Sequence, residues 1–471
     1  MTYRDISAKK YRVLLVGSGG REHALAWALQ RSPSLAEMYY APNKAEGNPG
    51  IDVLPKSLRC SQLAQDIESI ATFCQSSLPD LVVVGPEQPL GLGIADKLRA
   101  KSLNLNVVGP NADGARLETS KQWAKDFMQR WNIPTAHSEV FTEASKALDF
   151  LQETPAPFVL KADGLAAGKG VLVTEDRAEA IEFARQVMEQ KIFGEAGSRL
   201  LVEEFLQGME VSVLALCDTV SNTIIPLEPA CDYKRALDGD AGLNTGGMGA
   251  YSPTQMFTEE LRQQVYREIL EPTLDGLRQD KIDYRGIVYA GLMLTASGPK
   301  VLEYNCRMGD PETQALLPRL KTDLLEVFDL LAQGRLNQAP KLEWDTRPSC
   351  GVVLAAPGYP GNYPKGLTVQ GLENFNPNPT PDEILVFHAG TTSQTEFLNV
   401  VAQQREASQL IEPTFFKNNQ VLTDGGRVFN VVALGQTMKE ARQRVYNSLV
   451  AGNLSFEGVH YRHDIAAREE N

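Results

Sequence analysis

FVLKADGLAAGKGVLV (residues 158–173) and KVLEYNCRMGDPE (residues 300–312) are the stretches whose reading decides the fold. The first is an apolar strand, a glycine-rich loop and a second apolar strand, which predicts a hairpin with a mobile tip. Gly164, Gly168 and Gly170 let backbone N–H groups approach an anion, and Lys161 and Lys169 supply the charge to hold it. The second stretch places Glu303 and Asn305 two apart on a strand, hence on one face. A carboxylate beside an amide oxygen is a hard ligand pair suited to Mg²⁺ shared with nucleotide phosphates. Arg307 continues that face, where it would meet a transferring phosphoryl group. A phosphate cradle and a metal rail in one chain point to ATP spent on activating a substrate.

The cradle is not a Walker A loop. Gly164 to Gly168 is one residue too short, and Lys169 is followed by Gly170 instead of a hydroxyl residue.

Composition bounds the rest. A chain of 471 residues is too long for one core and suggests about three domains. Hydrophobic residues at 43% with 22% charged residues are ordinary for a globular protein. A net charge of −13 argues against general binding to nucleic acid or anionic membranes. An anionic substrate must then be met by a local basic cluster. No apolar run approaches a membrane span, and MTYRDISAKKYR lacks the apolar core of a signal peptide. The six cysteines show no paired or metal-binding spacing and read as reduced thiols of a cytoplasmic protein.

YRVLLVGSGG (11–20) is a strand entering a glycine turn, and REHALAWAL continues as a helix whose N-terminus can hold a phosphate or carboxylate. The third glycine of a dinucleotide fingerprint is missing, with Glu22 in its place, so NAD binding is disfavoured. Strands 81–84 and 106–110 each run into a Gly-Pro turn, and Glu87 either caps the helix that follows or faces a ligand. Thr119-Ser120 cap a helix over 120–131 with Trp123, Phe127 and Trp131 at core spacing. Lys121 in its first turn opposes the helix dipole. DPET (310–313) opens another helix with Asp310 as its cap. Strands at 350–356, 384–388 and 426–434 and a helix at 438–450 with a Thr437–Glu440 capping box form the last unit. Turn chemistry accounts for HAGT (388–391) and DGGR (424–427) as well as function does.

KADGLAAGKGV, LVEEFLQGMEVS, NTGGMGAYSP and EYNCRMGDPET together resemble the ATP-grasp ligases of purine synthesis, and most of all the branch that joins glycine to 5-phosphoribosylamine. The resemblance covers nearly the whole chain. It implies an α/β and α+β multidomain protein: an ATP-grasp fold with an N-terminal parallel α/β domain and a C-terminal α/β domain. The expected divisions are a substrate domain at 1–112, a core lobe at 113–133 and 203–336, a lid lobe at 134–202 and a C-terminal domain at 337–471.

The resemblance also implies roles. Lys121, Lys161 and the 164–170 loop with Lys169 would hold the ATP phosphates. Glu203, Glu204, Phe205 and Leu206 would form the hinge against adenine, with Glu210 on the ribose hydroxyls. Glu303 and Asn305 would bind Mg²⁺, with Mn²⁺ as an alternative ion. GIVYAGLML supplies none of the further acid that many ATP-grasp enzymes place there. Gly19, Gly20, Arg21 (toward a phosphate), Glu87 and Arg235 would face the sugar-phosphate substrate. Asp232, Lys234, Arg307 and Asp310 would stand at the reacting centre. Relatives carry His just before Lys-Arg, but this chain has Tyr233, which excludes an acid–base histidine there.

The implied reaction activates glycine as an acyl phosphate, which the amine of 5-phosphoribosylamine attacks, giving glycinamide ribonucleotide, ADP and phosphate. A cytoplasmic monomer with small-molecule substrates, and at most transient contact with neighbouring purine-pathway enzymes, is expected. The rival readings are a related ligase of a different acid or amine, and a non-catalytic nucleotide-binding protein.

Overall fold

The computed structural model describes residues 9–44, 46–63, 66–100, 103–164, 170–395 and 420–470. Its first sheet is parallel, in the order Ser57–Arg59, Leu35–Ala41, Tyr11–Val16, Leu81–Val84, Val107–Val108. Tyr11–Val16 lies inside it with Arg12 as its one exposed residue. Cover on both faces is why this strand is apolar almost throughout. The strand turns at Gly17 (φ +112°) into the helix Gly20–Gln30. Glu22, the residue in place of a third glycine, reaches back and accepts the Gly19 N–H at 2.6 Å. A Cβ on Gly85 would come within 2.2 Å of its carboxylate. The Glu22 side chain therefore packs directly against the backbone of Gly17, Gly19 and Gly85.

A second sheet, antiparallel, runs Thr223–Pro226, Met209–Asp218, Arg285–Thr295, Gly298–Asn305. A third, in the order Ser138–Phe141, Leu200–Glu203, Phe158–Ala162, Val171–Thr174, carries the glycine-rich hairpin. It packs with Ala144–Glu153 and Arg177–Met188 around a small core of its own, including Leu151, Phe158, Leu160 and Val187. The two strands expected within 158–173 are present and pair antiparallel, with Lys161 opposite Val171; residues 165–169 between them are not among the described residues. Gly168 and Lys169 lie outside the described residues.

The stretch 231–253, whose glycine-dense, polar sequence predicts a loop, is largely strand. Cys231–Asp232 and Gly249–Ser252 join Ser349–Ala355, Arg427–Leu434 and Leu385–His388 in a five-stranded sheet, so the loop is sewn into the C-terminal unit. The helix Met438–Gly452 covers that sheet through Met438, Ala441, Val445 and Leu449. Thr437 caps it by accepting the Glu440 N–H at 3.2 Å. Asp310 is not a helix cap: the helix Glu312–Leu316 starts from Pro311, and the Asp310 carboxylate pairs with Arg427 and Gln314 instead. No helix among the described residues is long and apolar enough to cross a membrane.

The N-terminal sheet is fastened to the C-terminal one by buried polar contacts. Fully buried Asn48 donates to the carbonyls of Ser18 (2.8 Å) and His388 (3.0 Å) and accepts the Gly50 N–H at 2.9 Å. His23 Nδ1 accepts the His388 N–H at 2.9 Å, and burial keeps both imidazoles neutral, with His388 pushed down to about 3. Asn48→Ala strands two buried carbonyls and a helix cap, and should destabilise the protein by about 2–4 kcal/mol. Urea unfolding measures this; a loss below about 1 kcal/mol would show that the fastening lies elsewhere.

Candidate active site

Glu303 and Asn305 share one face of their strand, opposite Gly291 and Tyr289 of the neighbouring strand. Enclosure raises the Glu303 carboxyl, but Lys234, Lys161, Lys121 and Arg307 outweigh it and hold the group below the usual carboxylate range. Glu303 is thus a carboxylate in the field of four cations. With the Asn305 oxygen beside it, the pair fits a hard divalent cation that shares phosphate oxygens.

Arg307 is the hub. Its Nη2 lies 2.8 Å from Glu118 and donates to Asn305 Oδ1 at 3.1 Å, while Nε lies 3.4 Å from Glu87. Enclosure works against its charge, but Glu118 and Glu87 overcome this, so it stays protonated. Glu118 was missed in the sequence. It ends a helix, and nothing local marks it as facing a residue almost two hundred positions away. Its other oxygen accepts the Cys306 N–H at 2.8 Å.

Two lysines share one carboxylate. Lys161 sits 2.9 Å from Glu203 and donates to the Leu302 carbonyl at 3.0 Å. Glu203 is 6% exposed and also pairs with Lys125 at 3.4 Å. Burial brings the Lys125 ammonium down to about 8 despite Glu203. Lys125 is a second residue the sequence did not single out. Lys121 donates to the Gly164 carbonyl at 3.0 Å, and Gly170 accepts the Ala162 N–H at 2.8 Å, so both ends of the glycine loop are fixed. Beside the bend after Glu203 lies a cleft of about 380 Å³ lined by Glu204, Phe205, Leu206, Gly208, Leu294 and Lys300. A Cβ on Gly208 would come within 2.2 Å of the Leu294 carbonyl oxygen, so the bend closes only with glycine.

Residues 232–235 alternate. Lys234 pairs with Glu210 at 2.7 Å and contributes to the field at Glu303, and Asp232 belongs to the same group. Enclosure drives the Asp232 carboxyl up to about 7, with Glu312 and Glu210 adding to the rise and Lys234 opposing it. Glu312, a third missed residue, is buried and accepts from Tyr289 at 2.5 Å and Ser212 at 3.2 Å. Arg235 does not join this group: it pairs within its own hairpin, to Asn244 Oδ1 at 3.2 Å and the Asp240 carbonyl at 3.3 Å. Tyr233 also turns away. Its hydroxyl accepts the Ala466 N–H at 3.0 Å, and its ring lies between the guanidinium groups of Arg462 (4.6 Å) and Arg468 (4.9 Å).

Gly19 and Gly20 open the first helix, and Arg21 is buried in its first turn. The Arg21 guanidinium is already engaged by Glu22 at 2.6 Å and the Met308 carbonyl at 3.3 Å, with Glu87 at 3.9 Å. Its charge is thus shared among internal partners. Asp310 pairs with Arg427 at 3.1 Å, and Arg427 also donates to the Asp310 carbonyl at 2.8 Å. The DGGR turn therefore does more than reverse the chain.

An acid–amide pair in the field of several lysines, a largely enclosed arginine and this arrangement of sheets are the features of an ATP-grasp enzyme. Comparisons with known proteins agree. The N domain of phosphoribosylglycinamide synthetase matches residues 11–118, its ATP-grasp (A) domain 119–313 and its C domain 349–468. A phosphoribosylamine–glycine ligase from Synechocystis is 44% identical over 96% of this chain and 99% of its own length. The same enzyme from Vibrio cholerae is 42% identical over 97% of this chain and 98% of its own length. A crystal structure of phosphoribosylamine–glycine ligase from Thermotoga maritima superposes with a TM-score of 0.76 at 30% identity, covering 97% of this chain and all of the other. The biotin carboxylase domain of a Hydrogenobacter thermophilus 2-oxoglutarate carboxylase shares the fold at 15% identity, with a TM-score of 0.67 over 96% of this chain and 92% of its own. The chain belongs to the phosphoribosylglycinamide synthetase family of ATP-grasp ligases.

Because Tyr233 points into the C-terminal segment, Tyr233→His should keep kcat within about twofold. Tyr233→Leu, which removes the ring between two guanidinium groups and a buried hydrogen bond, should cost about 2–3 kcal/mol. Steady-state kinetics paired with thermal melting checks both; a tenfold loss of kcat in Tyr233→His at unchanged Tm would return the residue to the reacting centre.

Proposed function

We propose that this chain converts ATP, glycine and 5-phosphoribosylamine into ADP, phosphate and glycinamide ribonucleotide through a glycyl phosphate. The observation that carries the reading is the positive field of Lys234, Lys161, Lys121 and Arg307 at Glu303, with Arg307 donating to Asn305, in a chain of this family.

A carboxylate oxygen is a poor leaving group, so the glycine carboxylate first attacks the γ-phosphorus of ATP and ADP departs. The amine then attacks the glycyl carbonyl and phosphate leaves. No side-chain nucleophile is required. The protein contributes charge neutralisation and positioning. Lys121 and Lys161 hold phosphate oxygens, while the hinge at Glu203–Leu206 seats adenine and Glu210 meets the ribose. Arg307 stabilises the transferring phosphoryl group and then the oxyanion of the tetrahedral carbon. Asp232, with its carboxyl near 7, takes the proton the amine gives up, while Lys234 and Asp310 orient the reacting groups. Glu303 and Asn305 would hold Mg²⁺, which neutralises the phosphates; Mn²⁺ suits the same oxygen donors. Closing the lid keeps water from the acyl phosphate.

The reaction is that of a cytoplasmic monomer acting on small molecules. A trifunctional purine biosynthetic protein from Gallus gallus is 42% identical over 97% of this chain, which matches 42% of that protein. Such a fusion is the precedent for contact with neighbouring enzymes.

ADP release should require glycine and the amine together, with glycinamide ribonucleotide detected by mass; release with another acid or amine would overturn the substrates. Glu303→Ala should lower kcat by about 10²–10³-fold, and full activity would remove the metal assignment. For Asp232 the sign is that of a base: its proton is lost as pH rises through about 7. The kcat/KM for the amine should therefore rise through that range and lose this limb in Asp232→Asn, at a rate about 10²-fold lower. An unchanged profile in Asp232→Asn would assign the proton to another acceptor.

A further inference from the structure

The cations around Glu303 serve the nucleotide and the reacting carbon, and Arg21 is engaged internally. The amine substrate carries a second anionic group, its 5-phosphate. In a chain of net charge −13 that group needs a basic cluster of its own.

One lies where the N-terminal sheet meets the C-terminal one. Lys44 Nζ is 2.7 Å from one oxygen of Asp424 and Lys365 Nζ is 3.1 Å from the other. The lysine side chains are 53% and 46% exposed, whereas Asp424 is 19% exposed. Two ammonium groups on one carboxylate leave a positive charge open to solvent. The cluster sits on a rigid base: the N–H groups of Asp424 and Gly425 both donate to the Gly390 carbonyl, at 2.7 and 3.1 Å. A Cβ on Gly390 would come within 2.5 Å of Gly425 Cα, so the HAGT and DGGR turns lock together. They also abut the start of the first helix, where a Cβ on Gly20 would come within 3.2 Å of Ala389 Cβ. Arg427 closes the DGGR turn and reaches Asp310, three residues beyond Arg307. The basic cluster is thus tied by one short turn to the reacting centre.

We propose that Lys44 and Lys365 are the docking site for the 5-phosphate of the amine substrate, with Asp424 holding the two ammonium groups together until the phosphate arrives. The inference rests on the ligation proposed above. Three phosphate oxygens and a second negative charge match two ammonium groups better than one carboxylate does. The sugar then lies between this cluster and Arg427, with its amine toward Asp310 and Arg307.

The test uses the full chain and three probes: ribose 5-phosphate, ribose and inorganic phosphate, titrated by calorimetry. Ribose 5-phosphate should bind about tenfold or more tightly than inorganic phosphate, and ribose should not bind measurably. Lys44→Ala and Lys365→Ala should each weaken ribose 5-phosphate about tenfold and raise KM for the amine by a similar factor, while KM for ATP moves less than about twofold. Both lysines are half exposed, and melting curves confirm that the variants fold. Equal affinity for inorganic phosphate, or a Lys44→Ala/Lys365→Ala double variant with unaltered binding and KM, would overturn the site. Failure of the ligation itself shows separately, as wild-type protein that releases no ADP with glycine and the amine, while the calorimetry still reports on the cluster.

Discussion

Arg307 is the charge on which the rest of the site depends. Placing a guanidinium among buried groups is costly unless it is paired and hydrogen-bonded. Here the partners come from three separate parts of the chain: Glu118 at 2.8 Å, Glu87 at 3.4 Å and Asn305 at 3.1 Å. Glu87 belongs to the N-terminal unit, Glu118 to the helix that leaves it and Asn305 to the core strand, so one cation joins elements that no single sheet joins. Removing any one partner leaves a largely enclosed charge short of compensation.

The same requirement explains the stretch around Tyr233. An extended chain sends neighbouring side chains to opposite faces. Asp232 and Lys234 go to the cleft, and Tyr233 goes to Arg462 and Arg468. The C-terminal residues thus hold this strand from behind. Arg462 is fully buried, donates to the Arg235 carbonyl at 3.0 Å and pairs with Asp240 at 2.8 Å. Any side chain that fills the gap and accepts the Ala466 N–H can serve at 233, which is why a cation is not needed there.

Much of this was legible in the sequence. The strand pair ending in Glu303 and Asn305, the glycine hairpin, and the last helix with its cap and apolar stripe all rest on local periodicity and turn chemistry, which tertiary structure did not override. What was not legible was of two kinds. Glu118, Glu312 and Lys125 are ordinary charged helix residues whose role appears only when a distant strand is packed against them. The 231–253 stretch looked like loop because its strands are two to four residues long, too short to show a period; they are stabilised by pairing with Ser349–Ala355. Asp310 carried a real capping signal, but Arg427 competed for its carboxylate and won.

One arrangement recurs across the site and answers the problem set by an acidic chain. Most of the cations proposed for a phosphate are stored on a carboxylate: Lys161 on Glu203, Lys234 on Glu210, Arg307 on Glu118, and Lys44 and Lys365 on Asp424, whereas Lys121 is held by the Gly164 carbonyl. Unpaired cations would repel one another and would each have to shed tightly held water when a phosphate arrived. Stored cations are pre-oriented, and binding becomes an exchange of one anion for a better one. The exchange is graded by burial. Glu203 is enclosed and keeps its lysines, so it sets their direction, whereas Glu210 at 42% exposure can release Lys234 into the cleft. In the proposed reaction the acidic residues of the site therefore orient the cations that meet the phosphates.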